Sequence, residues 1–266
     1  MKKVTLAGGL VVLVLLSTNL ANAAPYIVNA PLKEGDIAAA FDNLITGTNS
    51  AVFTVPVVYG QSTYEFIDGN GDAATVTVTR PNGASVRPTS TYSSNGIPMS
   101  GYAWNISPSA GSGTIPGFDS GITFTFSSPV NAFGFEVGDW ATCCMSGTRP
   151  ANIVDDYGVA SQGSGLWIAF DGGAATLPGN ALVSADNPGY AAYKSYTNFI
   201  GAIDSSGYFT SVTFFGDGFG EYLLVGGTLR FASVPINSIP EPETWAMLLA
   251  GLGIVSVVAK RHRHRV

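Results

Sequence analysis

Short segments in which apolar and polar residues alternate recur along most of the chain. Residues 75–79 alternate threonine with valine, and residues 122–126 carry an apolar residue at every second position. The same period continues in four further segments, namely residues 133–137, 166–170, 212–214 and 229–231. Because successive side chains of a strand point to opposite faces of a sheet, this period predicts half-buried antiparallel strands.

Turn-forming residues separate these segments about every eight to twelve residues, as in all-β domains. Only residues 36–46 have a helical pattern, which begins with Asp36 as a candidate N-cap. Four apolar residues of this segment share one helical face: Ile37, Phe41, Leu44 and Ile45. We therefore predict an all-β fold, a β-sandwich or jelly roll with one short N-terminal helix.

The first residues have the pattern of a secretory signal peptide. Two lysines precede the apolar residues 4–16, and Ala21 and Ala23 supply the small residues that signal peptidase recognises. We predict cleavage before Ala24, so that residues 1–23 are absent from the mature protein. Signal peptidase is then the first expected partner.

The C-terminal residues form a second signal. Pro240, Glu241 and Pro242 are followed by the apolar residues 245–259 and then by Lys-Arg-His-Arg-His-Arg. A cationic end of this kind halts a translocating chain with its charged residues in the cytoplasm. As a helix the apolar run would measure about 22 Å, against about 30 Å for the hydrocarbon core of a bilayer. We predict a single hydrophobic C-terminal helix that anchors the chain only transiently in a membrane.

Residues 238–253 read Ser-Ile-Pro-Glu-Pro-Glu-Thr-Trp-Ala-Met-Leu-Leu-Ala-Gly-Leu-Gly and lead into the basic end. This tail, residues 238–266, resembles the sorting signal of PEP-CTERM proteins. The resemblance implies a Gram-negative bacterium, and a membrane protease of the exosortase type that cuts near the Pro-Glu-Pro. It also implies export across the inner membrane, followed by release to the cell surface or the medium. An ordinary single-pass tail anchor is the alternative.

The remaining residues, 24–237, are expected to form one β-sandwich domain. Residues 126–135 and 199–214 are similar to a strand pattern of lectin-like PEP-CTERM bodies. The domain has six basic and sixteen acidic residues, a net charge of −10, so nucleic acid is not an expected partner. Both histidines, His262 and His264, lie in the tail. The domain therefore lacks the usual general base of hydrolases and the commonest zinc ligand, and we expect no enzyme activity.

A loop rich in glycine carries oxygen side chains at alternate positions, Asp68, Asn70 and Asp72. This resembles the opening of an EF-hand calcium loop, but Ala73 and Thr79 stand where that loop needs glycine and glutamate. Asn-Gly is also a strong hairpin-turn signal. The interpretations are a hairpin turn alone, which we favour, or a turn that also binds calcium.

Cys143 and Cys144 are adjacent and would meet an oxidising compartment after export. Neighbouring Cα atoms are about 3.8 Å apart, below the usual disulfide range of about 4.4 to 6.8 Å. A strained vicinal disulfide is our main hypothesis. Intermolecular bridges, free thiols and a metal site remain alternatives.

Aromatic side chains are the usual platform for sugar rings, and acids beside them bind hydroxyl groups. Trp140 follows Asp139 in a loop that a disulfide would stiffen, so we predict that this pair binds a ligand. Trp167 is expected to pack inside or against a sheet. Other aromatic candidates are Trp104, Tyr92, Tyr102, Tyr157, Tyr190, Tyr193 and Tyr196.

Glu136 and Asp139 are candidates for the paired carboxylates of a glycosidase, which lie roughly 5 to 9 Å apart. Residues three apart on a strand face opposite sides of the sheet, so we interpret both as solvated surface acids. We expect a secreted or cell-surface protein that associates with exopolysaccharide in a biofilm matrix. The alternatives are a calcium- or carboxylate-dependent hydrolase of extracellular polysaccharide and a structural adhesin.

Overall fold

The computed structural model describes residues 25–32, 39–106, 115, 118–142, 147–217 and 223–236. The strands of this part of the chain are β1 (Tyr26–Pro31), β2 (Phe53–Pro56), β3 (Thr63–Ile67), β4 (Ala73–Thr79), β5 (Ser93–Ser94), β6 (Ile97–Pro98), β7 (Ala103–Ile106), β8 (Ile122–Val130), β9 (Ala132–Gly138), β10 (Gly147–Thr148), β11 (Gln162–Phe170), β12 (Thr176–Ala181), β13 (Thr197–Ile203), β14 (Phe209–Gly216) and β15 (Leu223–Ala232). The helices are α1 (Ala39–Thr46), α2 (Ala151–Tyr157) and α3 (Pro188–Tyr193), with 3-10 turns at Phe118–Ser120 and Ser184–Asp186.

Two antiparallel sheets form the fold. The first has the order β1-β13-β9-β15-β2, and β7 also pairs with β15. The second has the order β10-β11-β14-β8-β4-β3, and β12 also pairs with β11. A small hairpin, β5 with β6, lies outside both sheets. The predicted all-β, antiparallel fold is confirmed.

Aromatic side chains from the inner faces of the two sheets fill the space between them. Phe124 of β8 contacts Phe133 and Phe135 of β9 at ring-centroid distances of 4.9 and 5.2 Å. Phe66 of β3 stacks on Phe231 of β15 at 4.5 Å. All five rings are buried in one apolar cluster. The alternating phenylalanines of the sequence are therefore the inner-face residues of a sandwich.

The helices differ in part from the prediction. Phe41 and Ile45 of α1 are buried as expected, but Leu44 is 46% exposed because the helix contacts the sheet along a narrow stripe. The proposed cap, Asp36, lies outside the described residues. Both α2 and α3 were missed, since each is too short to show a helical period. The predicted C-terminal helix is also outside the described residues, and none of the described helices is long and apolar enough to cross a membrane.

Helix α2 covers the outer face of the second sheet. Ile153 of α2 joins a buried cluster with Trp167 of β11 and Phe215 of β14. The Tyr157 ring meets the Trp167 ring edge-on at 5.6 Å. The prediction that Trp167 packs against a sheet is confirmed, and this side chain is not a surface platform.

Candidate functional site

Two grooves meet at one end of the sandwich, and Tyr208 lines both of them. Their volumes are about 580 Å³ for the first groove and about 530 Å³ for the second. Tyr208 is 52% exposed, although its neighbour Phe209 is buried. An exposed ring at the junction of two grooves is a feature suited to ligand binding.

The first groove has apolar walls and two carboxylates. Ile27, Phe170 and Leu177 contribute to its walls. Phe170 packs on Phe209 with ring centroids 5.1 Å apart, so this wall is continuous with the core. The two acidic residues of the lining are Asp171 and Asp204. Apolar walls with a few fixed polar groups are typical of small-ligand sites.

The loop that carries Tyr208 is held by hydrogen bonds. Asp204 Oδ1 accepts from the backbone N–H groups of Ser206, at 2.8 Å, and Gly207, at 3.0 Å. The backbone N–H of Asp204 donates to the carbonyl of Asn131 at 2.7 Å. The Asn131 side chain exchanges two bonds of 2.8 Å with the backbone of Val234. Tyr208 thus stands on a pre-ordered turn, which lowers the entropy that a ligand must overcome.

Asp171 is anchored in the same way. Its backbone adopts the left-handed conformation, with φ at 49°. Its Oδ1 accepts from the backbone N–H groups of Thr210, at 2.8 Å, and Ser211, at 2.9 Å. Within the described residues, the hydrogen bonds of Asp171 and Asp204 all use Oδ1 of the carboxylate.

The second groove is lined mainly by small polar residues, with Asp68 among them. Asp68 Oδ1 accepts from the N–H groups of Asn70 at 2.9 Å and Asp72 at 3.0 Å, and Oδ2 accepts from Ser128 Oγ at 2.7 Å. These donors, led by Ser128, lower the pKa of the Asp68 carboxyl. The hairpin between β3 and β4 is confirmed, with Tyr64 opposite Val76.

The calcium hypothesis has no further support from the described residues. The Asp68 carboxylate serves the turn and Ser128. In the described part of the chain, no three carboxylate, imidazole or thiol side chains come together as a metal-ligand set. Calcium binding by Asp68, Asn70 and Asp72 stays a prediction.

The predicted ligand-binding pair, Asp139 and Trp140, lies in neither groove. Trp140 is only 1% exposed, and its Nε1 donates to the carbonyl of Ser164 at 3.1 Å. Its ring packs closely on Gly179: a Cβ added at Gly179 would lie 3.0 Å from Trp140 Cη2. Asp139 is half-buried, and its Oδ1 accepts from Tyr92 Oη at 3.2 Å. The sugar-platform hypothesis for Trp140 is wrong, because the ring is part of the core.

The interpretation of Glu136 as a solvated surface acid is also wrong. Glu136 lies on the central strand β9 and is fully buried. Its carboxylate accepts from the N–H of Ser100 at 2.7 Å, from the hydroxyl of Ser100, and from the N–H of Thr228 at 3.3 Å. Burial raises the pKa of Glu136, and these donors partly oppose the rise. The carboxylate joins the segment at Ser100 to strand β15 at Thr228, and it lines neither groove.

The sequence interpretation missed Tyr208, Asp171 and Asp204. A signal was present for Asp204 and Tyr208. Asp204-Ser-Ser-Gly207 is a turn sequence between two strands, and it places the next residue, Tyr208, at a loop tip. Asp171-Gly172 is a local turn signal, but nothing local indicates that Asp171 binds the strand that begins about forty residues later. The predicted disulfide pair, Cys143 and Cys144, and the cleavage residues Ala21, Ala23 and Ala24 lie outside the described residues.

Comparison with known proteins identifies the tail. Residues 238–263 match the family model of the PEP-CTERM protein-sorting motif. No curated protein and no solved structure matches the chain. The motif, with Pro240, Glu241 and Pro242, also lies outside the described residues. The chain therefore carries the sorting signal of an exported surface protein that exosortase processes.

Proposed function

We propose that this PEP-CTERM protein is a non-catalytic polysaccharide-binding protein that holds exopolysaccharide through the two grooves beside Tyr208. The observation that carries the proposal is the half-exposed Tyr208 ring, held on a hydrogen-bonded turn where the grooves meet. A sugar ring presents an apolar face that stacks on an aromatic side chain. The matrix of a biofilm supplies such polymers at the cell surface.

The polar groups of the first groove suit the same ligand. Asp171 and Asp204 each have an anchored Oδ1, and each offers Oδ2 to sugar hydroxyls beside the apolar wall of Phe170. Hydrogen bonds from hydroxyl groups to carboxylates are among the stronger ones in proteins. Two grooves with one shared aromatic ring fit successive units of a chain better than a single sugar.

The route to the matrix follows from the two signals. Signal peptidase would remove residues 1–23 in a Gram-negative bacterium, and the tail would hold the domain briefly at the inner membrane. Exosortase would then cut near Pro240 and free the domain for the cell surface or the medium. A binding protein delivered in this way would act outside the cell.

A Tyr208→Ala variant tests the proposal by affinity electrophoresis and by a glycan array. We expect binding to weaken by about 1 to 3 kcal/mol, roughly 5- to 150-fold in Kd, as for other aromatic anchors. Tyr59→Ala is the matched control, because Tyr59 is 63% exposed and lines neither groove. Equal binding by the Tyr208 variant and the wild type, or an equal loss in both variants, would contradict the proposal.

A further inference from the structure

The grooves beside Tyr208 carry negative charge only. Asp171 and Asp204 line the first groove and Asp68 lines the second, and the described lining residues include neither lysine nor arginine. The hydrogen bond from Ser128 and those from the turn backbone lower the pKa of the Asp68 carboxyl. A ligand in these grooves therefore meets carboxylates along its length.

The basic residues of the described chain lie outside the lining of both grooves. Arg149 forms a buried ion pair with Asp217, at 2.5 Å. Arg80 donates to the backbone carbonyls of Ser120 and Asn105. The ammonium group of Lys194 lies over the ring of Tyr190, 4.8 Å from its centroid. Arg230 pairs with Asp42, Arg87 is exposed, and neither lines a groove.

Hydrogen bonds to the backbone hold the two carboxylates of the first groove in place. Asp171 is tied to the backbone of Thr210 and Ser211, and Asp204 to the backbone of Ser206 and Gly207. A uronate or sulfate group in the groove would therefore face fixed like charges, which disfavour binding. An uncharged sugar meets the same oxygens as hydrogen-bond acceptors.

We propose that these grooves bind electrically neutral polysaccharides and reject those that carry uronate, sulfate or phosphate groups. This selectivity rests on the proposed function and gives it a substrate class. It is a property of the groove charges rather than of the acidic surface as a whole.

The test compares polymers that share a backbone and differ in charge. Hydroxyethyl cellulose is paired with carboxymethyl cellulose, and dextran with carboxymethyl dextran, in affinity electrophoresis of the purified protein. We expect retention by the neutral member of at least one pair. Binding to its anionic counterpart should be at least about tenfold weaker at low salt, and the gap should narrow as salt screens the charges.

Paired variants separate groove charge from net charge. Asp171→Asn with Asp204→Asn removes two groove charges, and each Asn Oδ1 keeps the backbone hydrogen bonds of the loops. Asp155→Asn with Asp156→Asn makes the same change in net charge on the exposed face of α2. Thermal melting checks that both double variants are folded. We expect the groove variant to bind the anionic polymer nearly as well as the neutral one, and the α2 variant to discriminate as the wild type does.

A failure of polysaccharide binding and a failure of charge selectivity give different results. If no polymer of either charge is retained, polysaccharide binding itself is wrong. If the wild type binds both members of a pair equally, or if the α2 variant loses discrimination as the groove variant does, the binding function stands and the charge selectivity is wrong.

Discussion

Replacing Trp140 with alanine would show whether this residue supports the core or a ligand. Its ring is almost fully buried, and its Nε1 donates to the Ser164 carbonyl. The flanking residues Asp139 and Ala141 both have left-handed backbones, with φ of 64° and 62°. The backbone carbonyl of Trp140 accepts from Asn187 Nδ2 at 2.7 Å. This costly loop conformation exists because the surrounding contacts hold it.

The magnitude follows from the buried area and the hydrogen bond. A tryptophan buries about 200 Å², which at about 25 cal/mol per Å² amounts to roughly 5 kcal/mol. The variant also leaves the Ser164 carbonyl without its indole donor, at a cost of about 1 kcal/mol. The methyl group of alanine and partial collapse of the cavity recover some of this, so we expect a loss of about 3 to 5 kcal/mol. For a domain of this size the melting temperature should fall by about 6 to 20 °C.

The assay measures thermal melting and polysaccharide binding on the same purified variants. Trp140→Ala should melt early but, while folded, bind polysaccharide as the wild type does. Tyr208→Ala should show the reverse, with weak binding and an almost unchanged melting temperature, because its ring is half-exposed. A Trp140→Ala protein that melts within about 2 °C of the wild type would refute the packing argument. Lost binding at unchanged stability would restore Trp140 as a ligand residue.

Three further predictions concern the Arg149–Asp217 ion pair, the pH dependence of stability at Asp68, and maturation. Arg149→Met removes the cation that pairs with the buried Asp217 and leaves its carboxylate with the neutral Trp167 Nε1–H as its donor among the described residues. This should cost about 3 to 5 kcal/mol by urea unfolding, whereas also replacing Asp217 with leucine should recover part of the loss. No recovery would contradict the prediction. The lowered pKa of Asp68 adds stability that is complete above its unfolded pKa and is lost as the pH falls through the folded pKa. The free energy of unfolding of Asp68→Asn should therefore fall less steeply with decreasing pH than that of the wild type. Equal slopes in the two proteins would count against this prediction. Intact-mass measurement of the exported protein should give a start at Ala24 and no His262, and a surface form that keeps the arginine-rich end would exclude tail removal.

Much of the fold was predictable because strand patterns are local. The period-two segments became strands, and Asn70-Gly71 became the turn of a hairpin, since both depend only on neighbouring residues. The short helix α3 depends instead on its ends. Asn187 Oδ1 caps it by accepting from the N–H groups of Gly189 and Tyr190, and a helix of six residues has too few positions to show a period.

The candidate site was not predictable, because its residues are far apart in the chain. Ile27, Phe170 and Tyr208 line one groove only after β1, β11 and the loop before β14 reach the same end of the sandwich. Trp140 and Tyr208 are both aromatic residues next to strands, and composition does not distinguish them. Gly179 and Ser164 of neighbouring strands cover the Trp140 ring. Nothing in the described chain covers the exposed half of Tyr208.

The sequence by itself determined the sorting tail and the strand pattern. A sorting signal is a linear motif of Pro-Glu-Pro, apolar run and basic end, and its recognition requires no particular fold of the domain that it carries. Alternation likewise states which residues share a face of a strand. Only the tertiary structure decided which of those faces and loops stay exposed, because burial depends on what the other sheet and the distant loops place against each side chain.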